Sequence, residues 1–252
     1  MLTSCFSSEF VFLIRIAAET IADAFERMPA DVTARQAVDL LTAAISDLYR
    51  QHEVGESVQA DPVQRAIAVF VAISLSRREI WLVGDCQSLV NGELFTCLKE
   101  VDSIIANARS LFLEAEIAQG RTIAELREHD SGREFILPLI RRQMVFQNRP
   151  DRGQYWYAAI GGFAVPDEGI VVHPLPPDTT TIVLASDGYP VLRGTLAESE
   201  RELEQVLRED PLLFRRYRSV KGLVRDSVSF DDRAYVRLRV WRGERGGRGE
   251  RV

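Results

Sequence analysis

The run Thr180-Thr-Ile-Val-Leu-Ala-Ser-Asp-Gly-Tyr189 constrains this chain more than any other stretch. An apolar, β-branched segment runs directly into a carboxylate, Asp187, and then a glycine, Gly188. The pattern predicts a buried strand over Thr181 to Ala185 with an acid at its end, where the chain turns sharply. A carboxylate there is costly unless it holds a metal ion, a hydrogen-bond network or a cation. Alone, the segment reads as a plain Asp-Gly turn.

Two further segments repeat the arrangement. Glu79-Ile-Trp-Leu-Val-Gly-Asp-Cys86 is another apolar run that meets a glycine-linked acid, Asp85. Ser227-Val-Ser-Phe-Asp-Asp-Arg-Ala-Tyr-Val-Arg-Leu-Arg239 places Asp231 and Asp232 just before a strand with Arg233, Arg237 and Arg239 facing outward.

Helical periodicity predicts helices over Glu9 to Met28, ended by Pro29, and over a second segment capped by Asp31 or Thr33. The second buries Val38, Leu41, Ile45, Leu48 and Tyr49. Arg65 to Leu75 and Glu79 to Asp85 read as strands. Gln87 to Leu98 reads as a hairpin around Asn91-Gly92. Helices follow at Asp102 to Ala118, Ile123 to Glu128 and Arg133 to Phe146, then a loop over Asn148 to Gly153. Strands are expected at Tyr155 to Ile160, Gly169 to Val172 and Ala234 to Trp241, and helices at Glu198 to Arg208 and Pro211 to Val220. The order is not a repeating βαβ pattern, so the class is an α+β layered sandwich.

Composition narrows the function. The 252 residues suit one large domain or two small ones, and 46% hydrophobic with 27% charged residues describes a soluble globular chain. A net charge of −6 argues against a nucleic-acid partner. No apolar run reaches the length of a membrane span. The stretch Phe10 to Ile14, flanked by Glu9 and Arg15, is not a signal peptide. Cys5, Cys86 and Cys97 form no Cys-x-x-Cys spacing, which suits a reducing cytoplasm, and Cys86 reads as a buried structural thiol. His52, His129 and His173 are too scattered for zinc.

Other features have plain readings. The tail Arg242 to Val252 is expected to be disordered. Gly161-Gly162 is a turn, and Trp81, Trp156 and Trp241 are core residues. Arg141, Arg142, Arg149 and Arg152 form a solvated face, as does the run Glu198 to Glu204.

Taken together, Val83-Gly84-Asp85, Ala185-Ser186-Asp187-Gly188 and Asp231-Asp232 resemble, in strings and in order, the metal-dependent serine/threonine protein phosphatases of the type 2C family. The resemblance spans about Glu9 to Val240. It implies a four-layer α-β-β-α sandwich in a single domain over residues 1–241. It also implies hydrolysis of phosphoserine and phosphothreonine esters, in phosphoproteins or small phosphoesters, by a water held between two Mg²⁺ or Mn²⁺ ions. Such ions take oxygen ligands and, about 3.5–4 Å apart, stabilise both the attacking and the leaving oxygen. By the resemblance Asp187 and Asp231 are metal ligands, with Gly188 in the same loop, and Asp85 helps hold a further, weaker ion. Asp232 stands where the family often has asparagine.

The chain departs from the family at its front. The family opens with strands carrying a Glu-Asp pair and an Asp-Gly-x-Gly motif, whose carboxylates bridge the metals, and with a basic residue that grips phosphate. None of these precedes the first helix here, and Glu9 falls where that helix begins. The expectation is a sandwich without its first strands and no tight two-metal site. Either the chain is truncated at its start, or it is a catalytically silent phosphatase-like domain used for binding or regulation.

Overall fold

The computed structural model describes residues 8–225 and 227–240, with side chains from Ile16 onward. Expectations for Cys5, Trp241 and the 242–252 tail lie outside these residues.

Helix α1 (Ser8–Glu26) pairs with α2 (Ala34–Gln51). Thr33, not Asp31, caps α2. Its hydroxyl accepts from the Gln36 amide, and the Gln36 side chain accepts from the Thr33 amide, a reciprocal capping box. The predicted face Val38, Leu41, Ile45, Leu48 and Tyr49 is buried.

Among the described residues, seven strands form two antiparallel sheets. Strands β1 (Phe70–Ser74), β2 (Glu79–Val83) and β5 (Val171–Pro174) run in the order β1-β2-β5. Strands β3 (Gln87–Val90), β4 (Glu93–Thr96), β6 (Thr181–Ala185) and β7 (Tyr235–Arg239) run in the order β4-β3-β6-β7. Asn91 and Gly92 form the hairpin tip with φ of 51° and 91°, the left-handed pair that a two-residue turn needs. The Asn91 side chain also accepts from the Thr180 amide at 2.9 Å, so the same tip anchors the start of β6.

Alternation decides which face each side chain fills. Ile80 and Leu82 point to the second sheet, where Val90 and Ile182 meet them. Trp81 and Val83 point the other way, into the α1–α2 core. Leu89, Val183 and Ala185 line the far face of the second sheet under Tyr189 and Leu192. Tyr189 donates to Glu200 of α7 (Leu196–Glu209), which ties that helix to the far side. Helices α4 (Glu100–Ala118) and α6 (Ser131–Arg142) pack together, with Ile105 and Ile136 closing over Tyr157 and Ala159. The short helices α3 (Gly55–Ala60) and α5 (Ile123–Glu128) complete the set. This is the expected α+β sandwich of two sheets flanked by helices. Among the described residues no helix is long and apolar enough to cross a membrane.

Several expectations fail, each for a local reason. Tyr155 to Ile160 is not a strand and makes only isolated bridges, Ala68 to Ile160 and Gln147 to Tyr157. The side chain of Asn148 takes the place of a neighbouring strand, bonding both the amide and the carbonyl of Ala159. The strand predicted over Arg65 to Leu75 shrinks to Phe70–Ser74, and Gly169 to Val172 shifts to Val171–Pro174. Helix α3 escaped the sequence reading, and Gln143–Phe146 is a 3₁₀ turn rather than a continuation of α6.

Pro211 to Val220 is not a helix, because its backbone groups are claimed by two side chains, one adjacent and one distant in sequence. The Asp210 carboxylate accepts from the amides of Phe214, Arg215 and Arg216. The guanidinium of Arg109, fully buried on α4, donates to the carbonyls of Leu212 at 2.9 Å and Ser219 at 3.0 Å. Its remaining nitrogens bind Asp130 at 2.6 and 3.2 Å. Removing one member of a buried ionic network strands the others. Arg109→Met is expected to lower stability by about 3–5 kcal/mol, read as an earlier urea midpoint.

Candidate functional site

The three acidic segments converge where the sheets meet. Strand β2 ends at Val83, and Gly84 turns the chain with φ of 84°. A Cβ on Gly84 would lie 2.1 Å from Val69 Cγ1, so only glycine fits. The turn delivers Asp85, whose side chain is 15% exposed. Strand β6 ends at Ala185, and Gln87 of β3 donates to the carbonyls of Ser186 at 3.1 Å and Tyr189 at 3.0 Å. On the other side Ser186 exchanges hydrogen bonds with Ala234, just before β7. These bonds fix the loop that presents Asp187.

Gly188 acts through close approach. A Cβ there would sit 2.4 Å from the Asp232 carbonyl oxygen and 2.9 Å from Arg233 Cβ. Its lack of a side chain lets the Asp231-Asp232 segment lie against the Asp187 loop. Arg233 then pairs with Glu200 at 2.8 and 2.9 Å, and Glu200 also receives the Tyr189 hydroxyl.

The three acids act on one another electrostatically. Asp187 has its pKa pushed up to about 6, first by burial of its carboxyl among neighbours and then by the negative charges of Asp85 and Asp231. Its residue surface is still exposed, so solvent moderates this penalty. The phenol of Tyr217 is raised by burial and by Asp187, Asp231 and Asp85, which puts it in the field of all three. The Cys86 thiol is pushed up to about 12, mainly by burial and then by Asp85 and Asp187, which makes it the inert structural thiol expected.

Two of the acids have cationic partners that sequence reasoning missed. Lys99 Nζ lies 2.7 Å from Asp85 and 3.7 Å from Asp102, above the ring of Tyr157. Burial works against the charge on Lys99, but Asp85 and Asp102 outweigh it and raise its pKa. Lys221 Nζ binds Asp231, whose same oxygen accepts from the Asp232 amide. Asp187 has no ion pair or hydrogen bond among the described residues. The signal was present in the composition, because Lys99 and Lys221 are the only two lysines among 31 basic residues.

A two-ion centre does not fit this donor set. Asp85 and Asp231 already face ammonium groups. Among the described residues no group of three or more His, Cys, Asp or Glu side chains is arranged to hold a metal ion.

No protein-family model and no curated protein matches the sequence. Among solved structures, the catalytic domain of serine threonine protein phosphatase PstP in complex with two manganese ions aligns at 16% identity and TM-score 0.38, over 77% of this chain and 75% of that one. The Mycobacterium tuberculosis serine/threonine phosphatase PstP/Ppp aligns at 19% identity and TM-score 0.37, over 77% and 76%. PppA, a key regulatory component of T6SS in Pseudomonas aeruginosa, aligns at 15% identity and TM-score 0.34, over 76% and 65%. These superpositions are loose.

Gly188→Ala is expected to cost about 1–3 kcal/mol, the usual price of overpacking, read by thermal melting. For Asp187 the pKa is higher in the folded state than the ordinary 3.8. Folding therefore favours its protonated form, and stability falls as pH rises from about 4 through about 6. Without added divalent cations, Asp187→Asn should melt roughly 2–4 °C above wild type at pH 7.5, the response of a domain this size to ~1 kcal/mol. The difference should disappear near pH 4.

Proposed function

We propose that this chain is a type 2C phosphatase-like domain, single over residues 1–241, that serves as a catalytically silent binding or regulatory domain in the cytoplasm. The family assignment rests on the strings and order of Val83-Gly84-Asp85, Ala185-Ser186-Asp187-Gly188 and Asp231-Asp232. The silence rests on one observation, the ammonium groups on Asp85 and Asp231.

Charge explains the consequence. Asp85, Asp102, Asp187 and Asp231 against Lys99 and Lys221 leave two net negative charges. A phosphate dianion is repelled by such a surface. Divalent cations could reverse the sign only by displacing lysines from short contacts with the carboxylates they would need.

A second reading is favoured by the unpartnered state of Asp187 among the described residues. On it, Asp187, Asp231 and Asp85 hold Mg²⁺ or Mn²⁺ around the Gly188 loop, and the domain hydrolyses a phosphoprotein or small phosphoester. The metal ions would supply the activated water.

Purified protein incubated with para-nitrophenyl phosphate or a phosphothreonine peptide, with and without Mn²⁺, separates the two. The silent reading expects turnover indistinguishable from the Asp187→Asn variant. Manganese-dependent turnover that the substitution abolishes would reverse it.

A further inference from the structure

The chain meets nearly all its needs for positive charge with arginine, yet puts both of its lysines on the acid cluster. Apart from His129, every cation in the other ion pairs among the described residues is an arginine. The choice has a physical basis. An ammonium group is a compact point charge, whereas a guanidinium is a planar fork that needs room for five donors. Of the two side chains, only lysine can stand at a carboxylate cluster much as a small cation does.

Each ammonium is held on a prepared platform. Lys99 is the N-cap of α4, with its head 16% exposed over the Tyr157 ring. It joins the start of that helix to the turn between the two sheets, and Asp102 in the first turn of α4 offsets its charge at the helix end. Lys221 is braced on both sides. Arg133 donates to the Val220 carbonyl at 3.0 Å before it. Gly222 after it packs so closely that a Cβ would lie 2.8 Å from Leu212 Cα. The Leu223 amide bonds the Pro211 carbonyl at 2.8 Å, closing the loop. A long side chain normally loses conformational freedom when it joins an ion pair. The bracing fixes where the Lys221 side chain starts, while the side chain itself still gives up rotamer freedom in the pair.

We infer that Lys99 and Lys221 are built-in replacements for divalent cations, and that they make assembly of the Asp85–Asp187–Asp231 cluster independent of metal. The inference rests on the phosphatase-like reading of those aspartates. It adds a property that silence alone does not require, since a chain can lose activity and still need a metal to fold. It follows that removing the ammonium groups should expose a cluster with a new affinity for hard cations.

The test is thermal melting of the full chain in chelator and in Mn²⁺ or Mg²⁺, with no substrate present. Wild type should melt at one temperature in chelator and in about 1 mM Mn²⁺, which would stabilise a fold holding a tighter site. Lys99→Met with Lys221→Met should lose about 5 °C or more in chelator, as expected on removing two half-buried partners from a domain this size. Added Mn²⁺ should return much of that loss in a saturable way. If the double variant does not fold, Lys221→Met alone should show a smaller loss with the same recovery.

Variants that melt like wild type, or whose loss cations do not repair, would overturn the inference and leave the silent reading untouched. A wild type stabilised by Mn²⁺ would also overturn it. Manganese-dependent turnover by wild type would instead strike the silent reading, so the two failures can be told apart.

Discussion

Carboxylates at the ends of apolar strands are costly without positive charge, and for two of the three here that charge is the ε-ammonium of lysine. Asp85, Asp187 and Asp231 come from different strand ends and act on one another. Like charges held together in a partly desolvated place oppose folding unless cations offset them. Lys99 and Lys221 supply that offset and impose an architectural demand. The start of α4 must reach the turn between the sheets, and the 211–222 loop must reach the entry to β7.

That demand explains why so much buried polar structure serves a surface loop. The Arg109 guanidinium, held by Asp130, and the Asp210 carboxylate take over backbone groups of residues 212–219, a segment with a helix-like pattern. A helix there would carry its backbone hydrogen bonds internally. Held instead by side chains from outside, the segment adopts the turn that brings Lys221 to Asp231. Glycines do the matching work on the acid side, at Gly84 by a left-handed φ and at Gly188 by close contact with Asp232.

Much of the framework was legible in sequence because it depends on local patterns. Thr181–Ala185 is a strand with the predicted ends, Ile123–Glu128 a helix with the predicted ends, and Asn91-Gly92 the predicted hairpin tip. The apolar run from Glu79 is the predicted strand, and its two faces lie in two different cores. The failures have a common cause. Residues 155–160 and 211–220 have strand-like and helix-like patterns, but side chains satisfy their backbone groups: Asn148 and Asp210 from nearby in the chain, Arg109 from far away. Hydrophobic periodicity carries no trace of a polar side chain bonding the backbone, whether near or distant.

The same division runs through the site. The sequence by itself determined which carboxylates stand at strand ends, and that glycines follow or precede them, because turn chemistry and strand burial are properties of neighbouring residues. It also held the count of two lysines. Only the tertiary structure decided that those lysines reach Asp85 and Asp231. The chain from Asp85 to Lys99 crosses a hairpin, and Lys221 reaches Asp231 from the end of a clamped loop. Whether a charge pair forms across such a path depends on where packing sends the chain, and that is settled by the assembled core rather than by any local pattern.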